Sequence, residues 1–300
     1  MSAMTPATQT ARDYYNSDDA DRFYAQVWGG EDIHVGMYQS LEEPIKQASR
    51  RTVDHLGDRL AAGDFSRSHL SEDLSCDLSG INTDSVVLDI GSGYGGAARR
   101  LVERFGCRVI CVNLAEAENK RNRELNQQAG TGDRIEVIDG SFEALPVDDE
   151  SVDFVWSQDA ILHSGDRRQV LAEVDRVLRP GGRFVFTDPM QSDSCPDGVL
   201  DPILARIHLP DFGSPDFYRS AAAELGWKDM EFEDHTHQLV NHYTRVLQTT
   251  EQQESELLKT ISDDYLQQMK QGLRRWIDGG NRGYLSWGVF LFAKPTRECL

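Results

Sequence analysis

The sequence predicts a doubly wound α/β fold: a seven-stranded, mostly parallel sheet with an N-terminal helical cap and helical insertions before the last strands. Three observations carry this. From residue 85 to 188, short apolar runs alternate with amphipathic stretches, the rhythm of a parallel sheet with right-handed crossovers. The first run lies in VLDIGSGYGG (Val87 to Gly96), where a turn with glycines at 91, 93, 95 and 96 leads into the helical AARRLVERF. The last run, FVFTDPM, follows RPGG at 179–182, a strong helix stop.

In chain order, residues 1–11 read as an unstructured lead. Over 12–28, apolar and aromatic residues at 14, 15, 23, 24, 27 and 28 flank an acidic break, which predicts one or two short amphipathic helices. GGEDIHVGMY then forms a glycine-flanked loop with His34. Packing over the sheet edge and a lid that excludes water from a cofactor both fit this segment. Residues 42–62 read as a helix and the polar 63–80 as a loop. Strands follow at 85–90, 108–113, 134–139, 152–157 and 183–188, with helices at 95–105, 115–129 and 166–178. Prolines at 196, 202 and 210 then surround a short helical segment, LDPILARIHL. A helix over 214–225, a strand in WKDMEFEDHT, a long helical stretch over 237–278 and a strand from Leu285 to Lys294 complete the chain. The division expected is a cap and linker over 1–80 and a main domain over 81–300, with insertions at about 190–213 and 236–282.

Composition excludes several classes. Asp and Glu number 50 against 31 Lys and Arg, a net charge of −19, which argues against nucleic-acid binding through clustered positive charge. Such a surface repels itself at low salt and is relieved by screening, which predicts a salt-adapted protein. No apolar run approaches the roughly 18 residues of a membrane span, and the N-terminus lacks a signal-peptide pattern, so a cytoplasmic location is expected. The five cysteines are odd in number and lack a C-x-x-C pair, which points to free thiols. The histidines are scattered, no metal site is expected, and His235 and His237 alternate as on a strand. Oligomeric state is not legible.

The glycine turn is where chemistry is expected. Glycines at 91 and 93 permit positive φ and close approach of a ligand, and the free N–H groups at the helix start attract an acceptor. By itself G-x-G-x-x-G fits many nucleotide sites. Asp89, two residues before the first glycine, suits a cationic ligand group. A dinucleotide site expects an acid about 20 residues on, whereas the second strand closes on Asn113, which disfavours an NAD-dependent dehydrogenase.

DIGSGYG resembles the first motif, Asp-x-Gly-x-Gly-x-Gly, of the class I S-adenosylmethionine (SAM) methyltransferases, a Rossmann-like family. ALPVDDESVDFVWS and AEVDRVLRPGGRFVFTD resemble that family's later motifs, so the likeness spans about residues 84–190. WSQDAILH is similar to the phosphoethanolamine and sarcosine/dimethylglycine branch, which also carries an N-terminal helical segment. The resemblance implies SAM as cofactor. Asp89, Gly91 and Gly93 are expected to hold its amino-acid end, with Asn113, Leu114 and Asn119 facing ribose and adenine. The family commonly has an acid where Asn113 stands, and an Asp where Ser141 precedes Phe142, a residue able to stack on the ring. Gln158 is expected beside the sulfonium, with Tyr24, Trp28 and His34 capping the cofactor.

In that branch the residues matching Asp159 and His163 serve the substrate amine, with an N-terminal Tyr, here Tyr15, partnering the His. An alkyl amine has a pKa near that of lysine and arrives protonated, so a carboxylate to anchor it and a base to relieve it are expected of this pair. Arg206, His208, Tyr218 and Arg219 fall where amine-methylating relatives grip the substrate's acidic group, and Arg suits a carboxylate. Aromatic rings, Trp28 or Trp287, would favour a quaternary ammonium. A phosphate ester calls for more basic residues than 190–220 offers, and a sterol for a longer apolar cleft. The resemblance therefore implies N-methylation of sarcosine and N,N-dimethylglycine to betaine, a compatible solute. Methylation of phosphoethanolamine or another small amine, and a SAM-binding regulatory protein without transfer activity, are the alternatives.

Overall fold

A computed structural model describes residues 18–62 and 80–297. Tyr15, Cys76, Cys299 and nearly all of the polar segment 63–80 lie outside the described residues. The seven strands are β1 (Val86–Ile90), β2 (Arg108–Asn113), β3 (Ile135–Asp139), β4 (Val152–Gln158), β5 (Leu178–Gln191), β6 (Lys228–Asp234) and β7 (Leu285–Ala293). They form one sheet in the order β3-β2-β1-β4-β5-β7-β6. Pairing is parallel from β3 through β5, while β7 runs antiparallel between β5 and β6. Strand order reverses between β1 and β4, so their carboxyl ends open a crevice, where sheets of this kind bind ligands.

Alternation along the strands sorts the core into two layers. Val87, Phe154, Val185 and Leu291 pack with Val53, Leu56 and Leu60 of helix Ile45–Ala61. Leu88, Val155, Phe184, Phe186 and Phe290 face helix Arg167–Val177 on the other side. The buried Arg183, on the same face of β5 as Val185, donates to the carbonyls of Leu60 and Ala62, and so caps the end of helix Ile45–Ala61.

A third cluster joins distant parts of the chain. Phe23, Tyr24, Val27 and Trp28 of the N-terminal segment, which holds helix Asp18–Val27, pack with Val246, Ile261, Leu266, Met269 and Leu273 near the other end. The long helical stretch predicted over 237–278 is divided: helices Thr236–Gln252 and Asp263–Asn281 are separated by a short turn of helix, Glu254–Leu257. The second starts where Ser262 Oγ accepts from the Tyr265 N–H, a side-chain cap that a continuous apolar period conceals.

Two further expectations are corrected. β5 begins at Leu178, so the RPGG stop lies within the strand, where its pairing with β4 shifts register between Val152 and Phe154. β6 ends at Asp234, and His235 caps the following helix instead of alternating with His237 on a strand. His55 and His235 both contact the Glu233 carboxylate, at 2.8 and 3.0 Å, and Arg59 pairs with its other oxygen. These contacts tie helix Ile45–Ala61 to the sheet edge. Cys107 and Cys111 are buried free thiols, and Cys195 is half-buried and free. No helix among the described residues is long and apolar enough to cross a membrane.

Candidate active site

The glycine turn is built by contact as well as by φ. Gly91 donates to the Val112 carbonyl at 2.8 Å, which draws the end of β1 under β2. It has φ +76°, and a Cβ there would stand 2.3 Å from the Ala160 Cβ beyond β4. At Gly96, the first residue of helix Gly96–Phe105, a Cβ would stand 2.1 Å from Asp32 Oδ1, so only glycine lets the 29–38 loop seat there. The buried Arg99 secures that loop by donating to Glu31 at 3.0 Å.

Under the loop lies a small cavity of about 330 Å³ between Asp32, His34, Asp89, Ser92 and Gln158. Each of these side chains presents a buried polar atom without a hydrogen-bond partner: Asp32 Oδ1, His34 Nε2, Asp89 Oδ2, Ser92 Oγ and Gln158 Nε2. Buried polar groups are ordinarily satisfied. Two carboxylates facing an imidazole, a hydroxyl and an amide match a ligand that carries both an ammonium and a carboxylate, so these residues fit the amino-acid end of SAM. Burial pushes the Asp89 carboxyl up to about 7; the nearby His34 opposes this and Asp32 adds to it. Burial pulls His34 down, but Asp32, with 3.7 Å between Nε2 and Oδ1, and the charge of Asp159 leave it above its ordinary value.

A second cleft of about 700 Å³ continues along the strand ends and brings together Asn113, Leu114, Ser141, Phe142 and Gln158. Glu118 also lines it and had not been singled out. Asn113 Nδ2 donates to Glu118 Oε2 at 2.9 Å, so a carboxylate does stand at the end of β2, delivered five residues later from the first turn of helix Glu116–Gln128. Its position in that turn was the available signal. Asn119 is a correction: it lies outside the cleft and braces the strand ends, donating to the Asn113 carbonyl and Asp139 at 2.8 Å each.

A third cleft, of about 840 Å³, shares Ile33, Asp159 and His163 with the second. Tyr24, expected over the cofactor, and Trp28, expected either there or facing a quaternary ammonium, line this third cleft, together with Tyr243, Trp276 and Arg206. Asp159 sits at its mouth in the left-handed region, φ +51°. Its Oδ1 accepts from Thr187 Oγ1 at 2.7 Å and Trp287 Nε1 at 2.8 Å, and its Oδ2 from the Val35 N–H at 2.7 Å. Burial pushes its pKa up, against the charge of His34 and these donors. Trp287 is fully buried and serves as a prop for Asp159, not as a ring facing a cation.

His163 ends a 3₁₀ turn, Ile161–His163, pinned from beneath. Asp188 accepts from the Leu162 N–H at 3.0 Å and from the Tyr218 hydroxyl at 2.6 Å. Tyr218 is therefore a buried support two contacts from the cleft, not a group that meets substrate. Burial, then the charge of Arg167, pulls the His163 imidazole down to about 4. Arg219 is another correction: it pairs with Asp229 at 2.9 Å on the surface and lies over Phe232. His208 is exposed in the left-handed cap of helix Asp201–Ile207 and does not line the cleft. Tyr243, Met269 and Trp276 were missed because, on their helices, aromatic and apolar residues at core spacing read as ordinary core.

A family model described as a methyltransferase domain matches residues 88–186. Together with the strand order, the glycine turn behind Asp89 and the cavity that fits a zwitterionic end, it defines a class I SAM-dependent methyltransferase. The sarcosine/dimethylglycine N-methyltransferase of Halorhodospira halochloris is 52% identical over 96% of this chain and 97% of its own. That of Aphanothece halophytica is 48% identical, covering 98% and 100%. A Galdieria sulphuraria crystal structure, provisionally described as a sarcosine dimethylglycine methyltransferase, superposes with a TM-score of 0.83 at 43% identity, covering 93% of this chain and 99% of that one. The chain belongs to the sarcosine/dimethylglycine N-methyltransferase family.

Proposed function

We propose that the protein methylates the nitrogen of sarcosine and then of N,N-dimethylglycine, forming betaine. The observation that carries this is the make-up of the third cleft. Among the described residues, Arg206 is its one Arg or Lys, and Tyr24, Trp28, Tyr243 and Trp276 supply aromatic surface. One guanidinium suits one carboxylate, and aromatic faces suit a nitrogen that becomes quaternary. A phosphate ester would call for more positive charge. SAM, when bound, supplies an electrophilic methyl group on a sulfonium. Asp89, His34 and Gln158 hold its amino-acid end, and Glu118 with Asn113 holds the ribose. The protein's further contribution is alignment and exclusion of water, which Ile33 of the 29–38 loop serves by lining all three cavities.

Asp159 stands beside the substrate nitrogen, where its carboxylate favours the positive charge that develops as the methyl group transfers. His163, with its pKa near 4, is neutral at physiological pH and accepts a hydrogen bond from the N–H that neutral sarcosine retains; neutral dimethylglycine has none to give. It is too weak a base to keep the proton. Arg206 anchors the carboxylate at the far end. A methyl-transfer screen over glycine, sarcosine, dimethylglycine and phosphoethanolamine tests the substrate class, and transfer to phosphoethanolamine alone would overturn it. Arg206→Ala is expected to raise KM for dimethylglycine about tenfold or more, the worth of a charged hydrogen bond, with SAM affinity unchanged. An acidic surface of net charge −19 accords with a cytoplasm rich in salt and in this product.

A further inference from the structure

Gly272 lies in the interior of helix Asp263–Asn281, where glycine is unfavourable relative to alanine. Its backbone has no positive φ to account for it. What it does have is a neighbour. A Cβ at 272 would stand 2.6 Å from Arg206 Nε, 2.8 Å from Cδ and 3.3 Å from Cζ. The guanidinium thus lies flat on the bare backbone of this helix, with Nε donating to the Gln268 carbonyl at 3.3 Å and Nη2 3.6 Å from Met269 Sδ. Gly272 and Arg206 both line the substrate cleft.

We infer that Gly272 is a specificity-determining position: the missing side chain is the slot that sets the height and direction of the Arg206 fork, and with it the length of carboxylate-bearing amine that reaches the methyl donor. This rests on the reading of Arg206 as the carboxylate anchor. The clashing atoms belong to a long side chain that can move, so a Cβ at 272 displaces the guanidinium while the helix stays intact. The effect falls on substrate binding, because Asp159, His163 and the cofactor cavities lie on other elements.

The test is Gly272→Ala, with KM and kcat for dimethylglycine, calorimetric SAM affinity and thermal stability measured together. The expected result is a KM raised about tenfold, the scale of a misplaced charged hydrogen bond, with SAM affinity unchanged and Tm unchanged or higher. Arg206→Ala and the double variant complete a cycle: in the Arg206→Ala background the substitution at 272 should leave KM where Arg206→Ala put it. A wild-type KM for Gly272→Ala, beside a raised KM for Arg206→Ala, overturns the slot and leaves the anchor standing. A wild-type KM for Arg206→Ala overturns the anchor itself, and the slot with it. Equal damage by Gly272→Ala in both backgrounds, with a lowered Tm, also overturns the slot, because the glycine would then serve helix packing alone.

Discussion

Replacing His163 tests how the amine loses its proton. A sarcosine nitrogen has a pKa near that of lysine, roughly 10.4, and burial with the charge of Arg167 holds His163 near 4. Moving the proton from the amine to this imidazole is uphill by about 6 in pKa, or roughly 9 kcal/mol. That leaves selection of the neutral amine; neutral sarcosine keeps one N–H, for which His163 is an orienting acceptor. kcat/KM should therefore climb about tenfold per pH unit from pH 6 to 9, following the substrate's titration. His163→Gln keeps an acceptor and should retain most of the rate. His163→Ala should lose roughly tenfold to a hundredfold, one hydrogen bond to a charged partner. Both variants should keep the same slope. The assay is the initial rate of methyl transfer across that range at limiting sarcosine. A slope that vanishes in His163→Ala, or a wild-type plateau above about pH 6.5, would refute the reasoning and restore His163 as the base, since 6.5 is the ordinary imidazole pKa.

Three further outcomes are expected. Because the folded Asp89 carboxyl titrates near 7 and an unfolded one near 4, its stabilising contribution is complete below about pH 4 and is lost as pH rises through 7. SAM binding should thus release a proton and tighten as pH rises through 7, and calorimetry on Asp89→Asn should show weaker binding without that pH dependence. Asp159→Asn leaves at least one of its three donors facing an amide N–H, whichever way it flips, and should cost about 1–3 kcal/mol in urea unfolding as well as activity. Thermal stability should rise from low to molar KCl as the net charge of −19 is screened, and a flat or falling Tm would remove the salt-adaptation reading.

The cofactor half of the site was legible because it is local. Asp89 and glycines 91 and 93 sit within one strand–turn–helix unit, and the apolar runs around them alternate at a period that specifies a parallel sheet. Asn113, Ser141, Phe142 and Gln158 are strand-end residues, and a parallel sheet brings all its carboxyl ends to one edge. The family motifs lie in this same contiguous stretch, which the matched residues 88–186 cover almost entirely.

The substrate half was decided by tertiary structure. Its walls come from the segment ending at Trp28, from helix Asp201–Ile207 and from the pair over 236–281, which are joined only in the folded core. An amphipathic pattern states which face of a helix is apolar; it cannot state which element covers that face or leaves it open as a cleft. For that reason Tyr24 read as a cofactor cap, Trp28 as either a cap or a ring for the cation, Tyr243 and Trp276 drew no site assignment, and Tyr218 and Arg219, one residue apart, both read as substrate ligands. A helix turns by about 100° per residue, so helix Pro215–Glu224 sends Tyr218 inward to Asp188 and Arg219 outward to Asp229. Which of two neighbours meets the interior is fixed by the layer packed beneath, and that layer is assembled from residues far away in the chain.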